Sequence, residues 1–294
     1  MIRLMEKILK EKLPQFAEAN DRLDFLKFST PSSGENLYDK VIFFVFARGD
    51  KNPRLCVKTV RNYGAKEAIT RNFENLQKLN KLTRDNSCRD IFAEALYLHD
   101  DGENIFSVES ACAGGKQELT EKNLKILMES YISFQKCCLE KEHDFIQDLR
   151  VFGKGLIREG GFKKDDEAKL LDYFDNFSFG NECSVPKIIQ HGDLTLDNML
   201  FTETSLRVVD YDYAGINYLP GFDLFNLFLR YDSSLIREDN EYLAGYFDAV
   251  GIKKPCFRPL FFLSYLGEII FKKNYLLKEI SAVELIKNFE KILH

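Results

Sequence analysis

Residues Gln190–Tyr213 read QHGDLTLDNMLFTETSLRVVDYDY and set His191, Asp193, Asn198, Asp210 and Asp212 around short apolar runs. Met199–Phe201 and Leu206–Val209 are apolar and partly β-branched, with the polar TETS between them, so the spacing predicts a small hairpin. Asp193 falls in a tight loop ahead of it, and Asn198 turns the chain back into its first strand. Asp210 emerges at the end of the second strand, and Asp212 two residues on shares its side of an extended chain. An Asp, an Asn five positions later and an Asp at a strand end are what phosphoryl transfer uses to hold an attacking hydroxyl and magnesium ions. In that reading Asp193 orients the hydroxyl and takes its proton. Asn198 offers a neutral oxygen to a metal, Asp210 a hard carboxylate that bridges the metal to phosphate, and Asp212 an auxiliary carboxylate. His191 organises the loop by hydrogen bonding to backbone. Singly, these residues have plainer readings as a core histidine, a strand-end cap and a solvated turn. The joint set carries the chemistry.

The segments HGDLTLDNMLF, RVVDYDYAG and PGFDLFN resemble the catalytic segment of the aminoglycoside phosphotransferase and choline kinase superfamily of small-molecule kinases. That family has His-Gly-Asp where protein kinases have His-Arg-Asp, and its metal-binding Asp is followed by a variable pair in place of Phe-Gly. The chain follows the small-molecule version on both points. The resemblance implies that Asp223, in GFDLFNLFL, ties the catalytic loop to the helix that follows; a helix N-terminal cap is the plainer alternative.

The upstream half then has to supply a nucleotide site. Phe25–Phe28 and Val41–Arg48 read as strands, and between them lies STPSSGENLYD. Its Ser33, Gly34 and Asn36 match the family's abbreviated phosphate-binding turn, although a plain hairpin loop has the same composition. The next strand, Arg54–Val60, holds Lys58 among apolar neighbours, where an unpaired ammonium costs several kcal/mol. In kinases its partners are the α- and β-phosphates and a helix glutamate. Ala65–Leu82 has helical periodicity through Ile69, Phe73, Leu76 and Leu79. Glu74 in that helix is the expected partner, with Glu67 in the first turn as the rival. Strands over Ala95–His99 and Asn104–Ser110 flank the turn DDGE. The second ends in small residues and a Gly pair, as a hinge would. In kinase-like folds adenine bonds to backbone at this place, here Glu109, Ser110 and Ala111.

From Leu119 the chain turns helical over 119–140 and enters a charged connection containing GKGLIREGGFKKDDE. Apolar periodicity over 222–231, 241–250, 258–273 and 282–293 predicts four more helices. The expected architecture is α+β, two-lobed and protein-kinase-like. An antiparallel-sheet nucleotide lobe spans 1–112, and a mainly helical lobe for catalysis and acceptor binding spans 113–294.

Composition leaves room for such an enzyme and closes other doors. The 294 residues, 45% of them hydrophobic, suffice for two lobes with a real core. A net charge of −5 offers no broad basic field for nucleic acid. MIRLMEKILKEKLPQF reads as an amphipathic helix capping the small lobe and lacks the apolar core of a signal peptide. No apolar run approaches the ~20 residues a membrane span needs. The seven scattered cysteines fit reduced thiols and hence a cytoplasmic protein.

The sequence therefore predicts transfer of the γ-phosphoryl group of a nucleoside triphosphate, ATP with Mg²⁺, to a hydroxyl of a small polar molecule. A sugar or sugar-like acceptor is the first expectation from the resemblance and choline or ethanolamine the second. In the second case Tyr211, Tyr213, Tyr218 and Tyr231 would flank the ammonium, and Asp232, Glu238, Asp239, Glu241 or Glu268 would attract it. A catalytically silent nucleotide-binding module is the alternative from another class, and retention of Asp193, Asp210 and Lys58 speaks against it. A protein kinase would show His-Arg-Asp, Asp-Phe-Gly and Ala-Pro-Glu, none of which is present.

Overall fold

The structure is a computed structural model that describes residues 1–16, 22–29, 40–84, 86, 88–141, 146–177, 184–276 and 281–293. In chain order the first elements are α1 (Ile2–Lys12), β1 (Leu23–Ser29), β2 (Lys40–Ala47), β3 (Leu55–Val60), α2 (Lys66–Thr83), β4 (Ala95–Asp100) and β5 (Ile105–Ser110). Next come α3 (Glu121–Lys141), β6 (Ile146–Asp148), α4 (Leu149–Glu159), α5 (Lys164–Asp175), β7 (Ser184–Pro186), β8 (Met199–Phe201) and β9 (Leu206–Val208). The chain closes with α6 (Phe222–Tyr231), α7 (Glu241–Ala249), α8 (Phe257–Leu276) and α9 (Ala282–Leu293). This is an α+β chain, and it divides into two compact units.

The first unit comprises Met1–Lys116 and Asn198–Tyr213. Its sheet is antiparallel throughout in the order β1-β2-β3-β5-β4. Strand β2 alternates strictly, so Val41, Phe43, Val45 and Ala47 face inward. Val41, Phe43 and Val45 meet Met5, Ile8 and Leu9 of α1 in one core with Leu55, Val57, Phe106 and Val108. Burying each such side chain contributes about 1.5–3 kcal/mol, which is what fixes the N-terminal helix to the sheet. Strand β3 is buried at every position, Lys58 included. The hairpin β8–β9 also falls in this unit, not with the helices as the sequence reading had it. Gly115 exchanges backbone hydrogen bonds with Phe201 at 3.0 and 2.9 Å. A Cβ on neighbouring Gly114 (φ 119°) would sit 3.0 Å from the Phe201 carbonyl oxygen, so the Gly pair admits the hairpin.

The second unit comprises Gln117–Asp197 and Ala214–His294. The charged connection expected after α3 folds instead into α4 and α5. Charge density hid two short amphipathic helices. Asp148 caps α4 by accepting from the amides of Arg150 and Val151, and Leu149, Gly153 and Ile157 form its buried stripe. Helix α5 opens on Asp165, Asp166 and Glu167, which suit the positive end of its dipole, and buries Leu170 and Phe174. The two helices touch at Gly153, where a Cβ would lie 2.2 Å from the Phe174 ring. Gly153→Ala is therefore expected to destabilise the protein by about 1–3 kcal/mol through overpacking, read as a lowered midpoint in urea denaturation. An unchanged midpoint would show that Phe174 has room to move.

Candidate active site

Of the residues expected to meet nucleotide and metal, Lys58, Glu109, Asp210 and Asp212 come together within the first unit. Strand pairing sets Lys58 opposite Ile42, so Lys58 shares a sheet face with Lys40. Lys58 Nζ lies 3.0 Å from Glu109 Oε1, with both side chains 5% exposed. Its ammonium also reaches Asn72 Oδ1 at 3.3 Å and stands 5.1 Å from the centre of the Tyr211 ring. Burial alone would lower the Lys58 pKa. The neighbouring acidic groups, Glu109 first and Asp210 among them, together outweigh it and hold the ammonium charged, above the ordinary lysine value.

That pairing corrects the expected Lys58–Glu74 contact. Helix α2 buries Ala68, Ile69, Asn72, Phe73, Leu76 and Leu79. Two residues beyond Asn72, about 200° further round the helix, Glu74 points away and is exposed. Glu67 is exposed as well. The carboxylate comes instead from Glu109, which lies diagonally across from Lys58 because Lys58 pairs with Ser107. Glu109 thus acts through its side chain, where main-chain contact to a base was expected. The Ala111 amide is likewise committed, donating to Arg54 O at 3.0 Å. Ser33, Gly34 and Asn36 lie outside the described residues.

Asn72 carries the network onward. Its Nδ2 is 3.2 Å from Asp210 Oδ1 and 2.7 Å from Asp212 Oδ1. The same two carboxylates hold Lys40 Nζ, at 2.7 Å from Asp210 Oδ1 and 2.5 Å from Asp212 Oδ2. The chain at Asp210 is not extended as expected. Its φ is 66°, the one positive value at a non-glycine among the described residues. Asp tolerates this left-handed region better than most residues. The bend still leaves both carboxylates on one cation. Asn198 ends the short turn before β8, and its carbonyl accepts from Val209 N at 2.9 Å.

Tyr211, between the two aspartates, is fully buried. Its hydroxyl donates to Val208 O at 2.8 Å and accepts from Ala93 N at 3.1 Å. It supports the strand end beneath Lys58 and is removed from any aromatic cage.

His191 and Asp193, expected in the catalytic loop, belong to the second unit. Asp223, 1% exposed, accepts from His191 N at 2.6 Å and Gly192 N at 2.8 Å, and Tyr131 Oη lies 2.7 Å from it. Burial raises the Asp223 pKa above the usual carboxylate value, while His191 and these donors hold the rise back. Gly192 has φ 85°, which a side chain would strain. His191 is buried, and its amide is the group seen organising the loop. Asp193 Oδ1 lies 3.3 Å from Arg230 Nη1, and Arg230 Nη2 lies 2.6 Å from Glu268 Oε1. Buried Glu268 therefore anchors a guanidinium that reaches Asp193. Tyr231, the next residue of α6, accepts from Leu196 N at 3.2 Å and pins the far side of the loop.

Lys40, Asn72 and Arg230 escaped the sequence reading. Asn72 left a signal, as a polar residue on the apolar stripe of α2. Lys40 and Arg230 left none short of the tertiary fold.

Residues 163–260 match the model of the phosphotransferase enzyme family, a span that takes in His191, Asp193, Asn198, Asp210, Asp212 and Asp223. No curated protein matches the chain. Among solved structures, a GDP complex of an aminoglycoside 2'-phosphotransferase-IIIa is 11% identical with TM-score 0.55, covering 99% of this chain and 96% of that one. A putative fructosamine-3-kinase from Haemophilus somnus is 13% identical with TM-score 0.56, covering 99% and 97%. One from Thermobifida fusca is 11% identical with TM-score 0.57, covering 97% and 96%. These likenesses establish the kinase-like fold. The matched segment, about a third of the chain, is similar to the phosphotransferase enzyme family.

Proposed function

We propose that the chain moves the γ-phosphoryl group of ATP to a hydroxyl of a small polar acceptor, a sugar or sugar-like molecule first. The observation that carries this reading is the convergence of Asp210 and Asp212 on one cation, on the sheet face that also presents Lys58. Among the described residues no cluster of three or more His, Cys, Asp and Glu is arranged for a metal. Magnesium does not require one, because it is usually held by one or two carboxylates together with waters and substrate phosphates. A pair of carboxylates already gathered round an ammonium fits that need, so Asp210 and Asp212, with Asn198, would hold the metal. Bound there, magnesium would neutralise charge developing on the transferred phosphoryl group.

The protein's own groups divide the remaining work. Lys58, kept charged by Glu109, meets the α- and β-phosphates. Asp193 receives the acceptor hydroxyl and its proton, with Arg230 fixing the carboxylate's direction. His191 and Gly192, bonded to Asp223, hold the loop that presents Asp193. The arrangement favours a sugar over choline as acceptor. Tyr211 is fully buried, and Arg230 sets a positive charge beside Asp193, where a quaternary ammonium would be repelled. ADP release across a panel of sugars, aminoglycosides, amino alcohols and peptides tests the reading. Turnover with choline alone would overturn the sugar assignment, and turnover with peptides alone would overturn both.

Lys58→Met separates its two roles. Removing the ammonium leaves Glu109 buried and unpaired, at an expected cost of about 3–5 kcal/mol in stability. Adding Glu109→Gln should restore much of that stability while calorimetric titration still finds weakened Mg–ATP binding. Recovery of nucleotide affinity by the double variant would remove Lys58 from the phosphate site.

A further inference from the structure

Lys40 bridges Asp210 and Asp212, and nothing in the phosphotransfer scheme above uses it. It is the first residue of β2, and its side chain is only 13% exposed. The alternation that sends Val41, Phe43 and Val45 into the core sends Lys40 to the opposite face, toward the aspartates. Its ammonium lies 2.7 and 2.5 Å from oxygens of Asp210 and Asp212. Magnesium binds carboxylate oxygens at about 2.0–2.1 Å. A metal on those same oxygens would stand almost on the lysine nitrogen, in conflict by both volume and charge. On those oxygens the two cations would exclude each other.

We propose that Lys40 is an internal competitor for the metal site, an exchangeable counter-cation that closes the Asp210–Asp212 pair until metal arrives with a nucleotide. Resting on the reading that these carboxylates are metal ligands, it assigns Lys40 the role of coupling metal entry to nucleotide entry. Metal alone has to expel the ammonium from two carboxylates and brings it no new anion. Metal accompanied by a polyphosphate brings negative charge with it, and the displaced ammonium gains a phosphate oxygen as its new partner. Asn72 remains on both carboxylates in either state and keeps them gathered. Lys58 does not compete in this way, because Glu109 and Asn72 hold it one step back from the aspartates.

The test is Mn²⁺ binding, followed by electron paramagnetic resonance, with and without a non-hydrolysable ATP analogue. Wild type should bind Mn²⁺ weakly alone and tightly with the analogue. Lys40→Met should bind Mn²⁺ alone about tenfold more tightly or better, since tenfold corresponds to only about 1.4 kcal/mol of relieved competition. Lys40→Arg, which keeps the charge, should stay near wild type and so separate charge from a general disturbance of the strand. Adding Asp210→Asn to Lys40→Met should abolish the gain and locate it. Equal Mn²⁺ affinity in wild type and Lys40→Met, or a gain that survives Asp210→Asn, overturns the role of Lys40. Failure of wild type to bind Mn²⁺ even with the analogue would instead overturn the metal assignment beneath it. Circular dichroism melts on each variant confirm that folded protein is compared.

Discussion

Asp193→Asn is expected to lower turnover by roughly 10²–10⁴ while leaving Mg–ATP affinity within a few-fold, the usual share of a positioned acid–base group. The amide keeps the size of the carboxylate but cannot take the acceptor's proton. It also loses the ionic part of the contact with Arg230, which stays anchored by Glu268. Asp210→Asn is expected to fail differently. Without that carboxylate, metal and phosphate charge are poorly compensated, so Mg-dependent nucleotide binding and turnover fall together. Calorimetric titration with ATP, with and without magnesium, beside a phosphate-transfer assay distinguishes the two. Loss of ATP binding in Asp193→Asn, or normal binding and turnover in Asp210→Asn, would reverse the roles. Arg230→Met supplies a graded case. Asp193 keeps its chemistry and loses its orientation, so turnover should fall while nucleotide affinity holds.

The contrast between strand and helix explains what the sequence made legible. Strand β3 was readable because a lysine among Leu55, Cys56, Val57 and Val60 interrupts an apolar run and needs an explanation. The hairpin after Asn198 was readable because its turn residues and apolar runs are local features. The partner of Lys58 was not, because it depends on strand register and helix phase together. Glu74 has the expected charge on the expected helix yet points outward, and Glu109 reaches Lys58 only because β5 pairs with β3. Asp212 shows the same limit. An alternating strand would put it level with Asp210, and the structure does so by a left-handed bend that no residue pattern announced. The helices α4 and α5 were lost for another reason. Short amphipathic helices rich in charged residues have the composition of a solvated linker, and only Leu149, Ile157, Leu170 and Phe174 reveal their buried sides.

Asp223→Ala is expected to destabilise the protein by about 3–5 kcal/mol and to disable turnover without touching any proposed ligand of nucleotide or metal. Three donors converge on this carboxylate: the amides of His191 and Gly192 and the Tyr131 hydroxyl. Each buried donor left without an acceptor costs about 1–3 kcal/mol, so the loop that carries Asp193 has strong reason to leave its place. Asp223→Asn keeps one acceptor oxygen but aims an amide NH2 at the other donors, so partial recovery is expected. The carboxylate also marks the pH dependence. Its pKa is raised by burial, so the folded chain holds the proton more tightly than the unfolded one, whose value is near 3.8. The unfolding free energy contributed by this residue therefore falls as pH rises from about 3.8 through the folded-state value, and Asp223→Ala should lack that component. Urea denaturation across that acidic range, paired with hydrogen exchange at the Gly192 amide, reads both effects. A variant that keeps its stability and its loop protection would show that the loop is held by something other than Asp223.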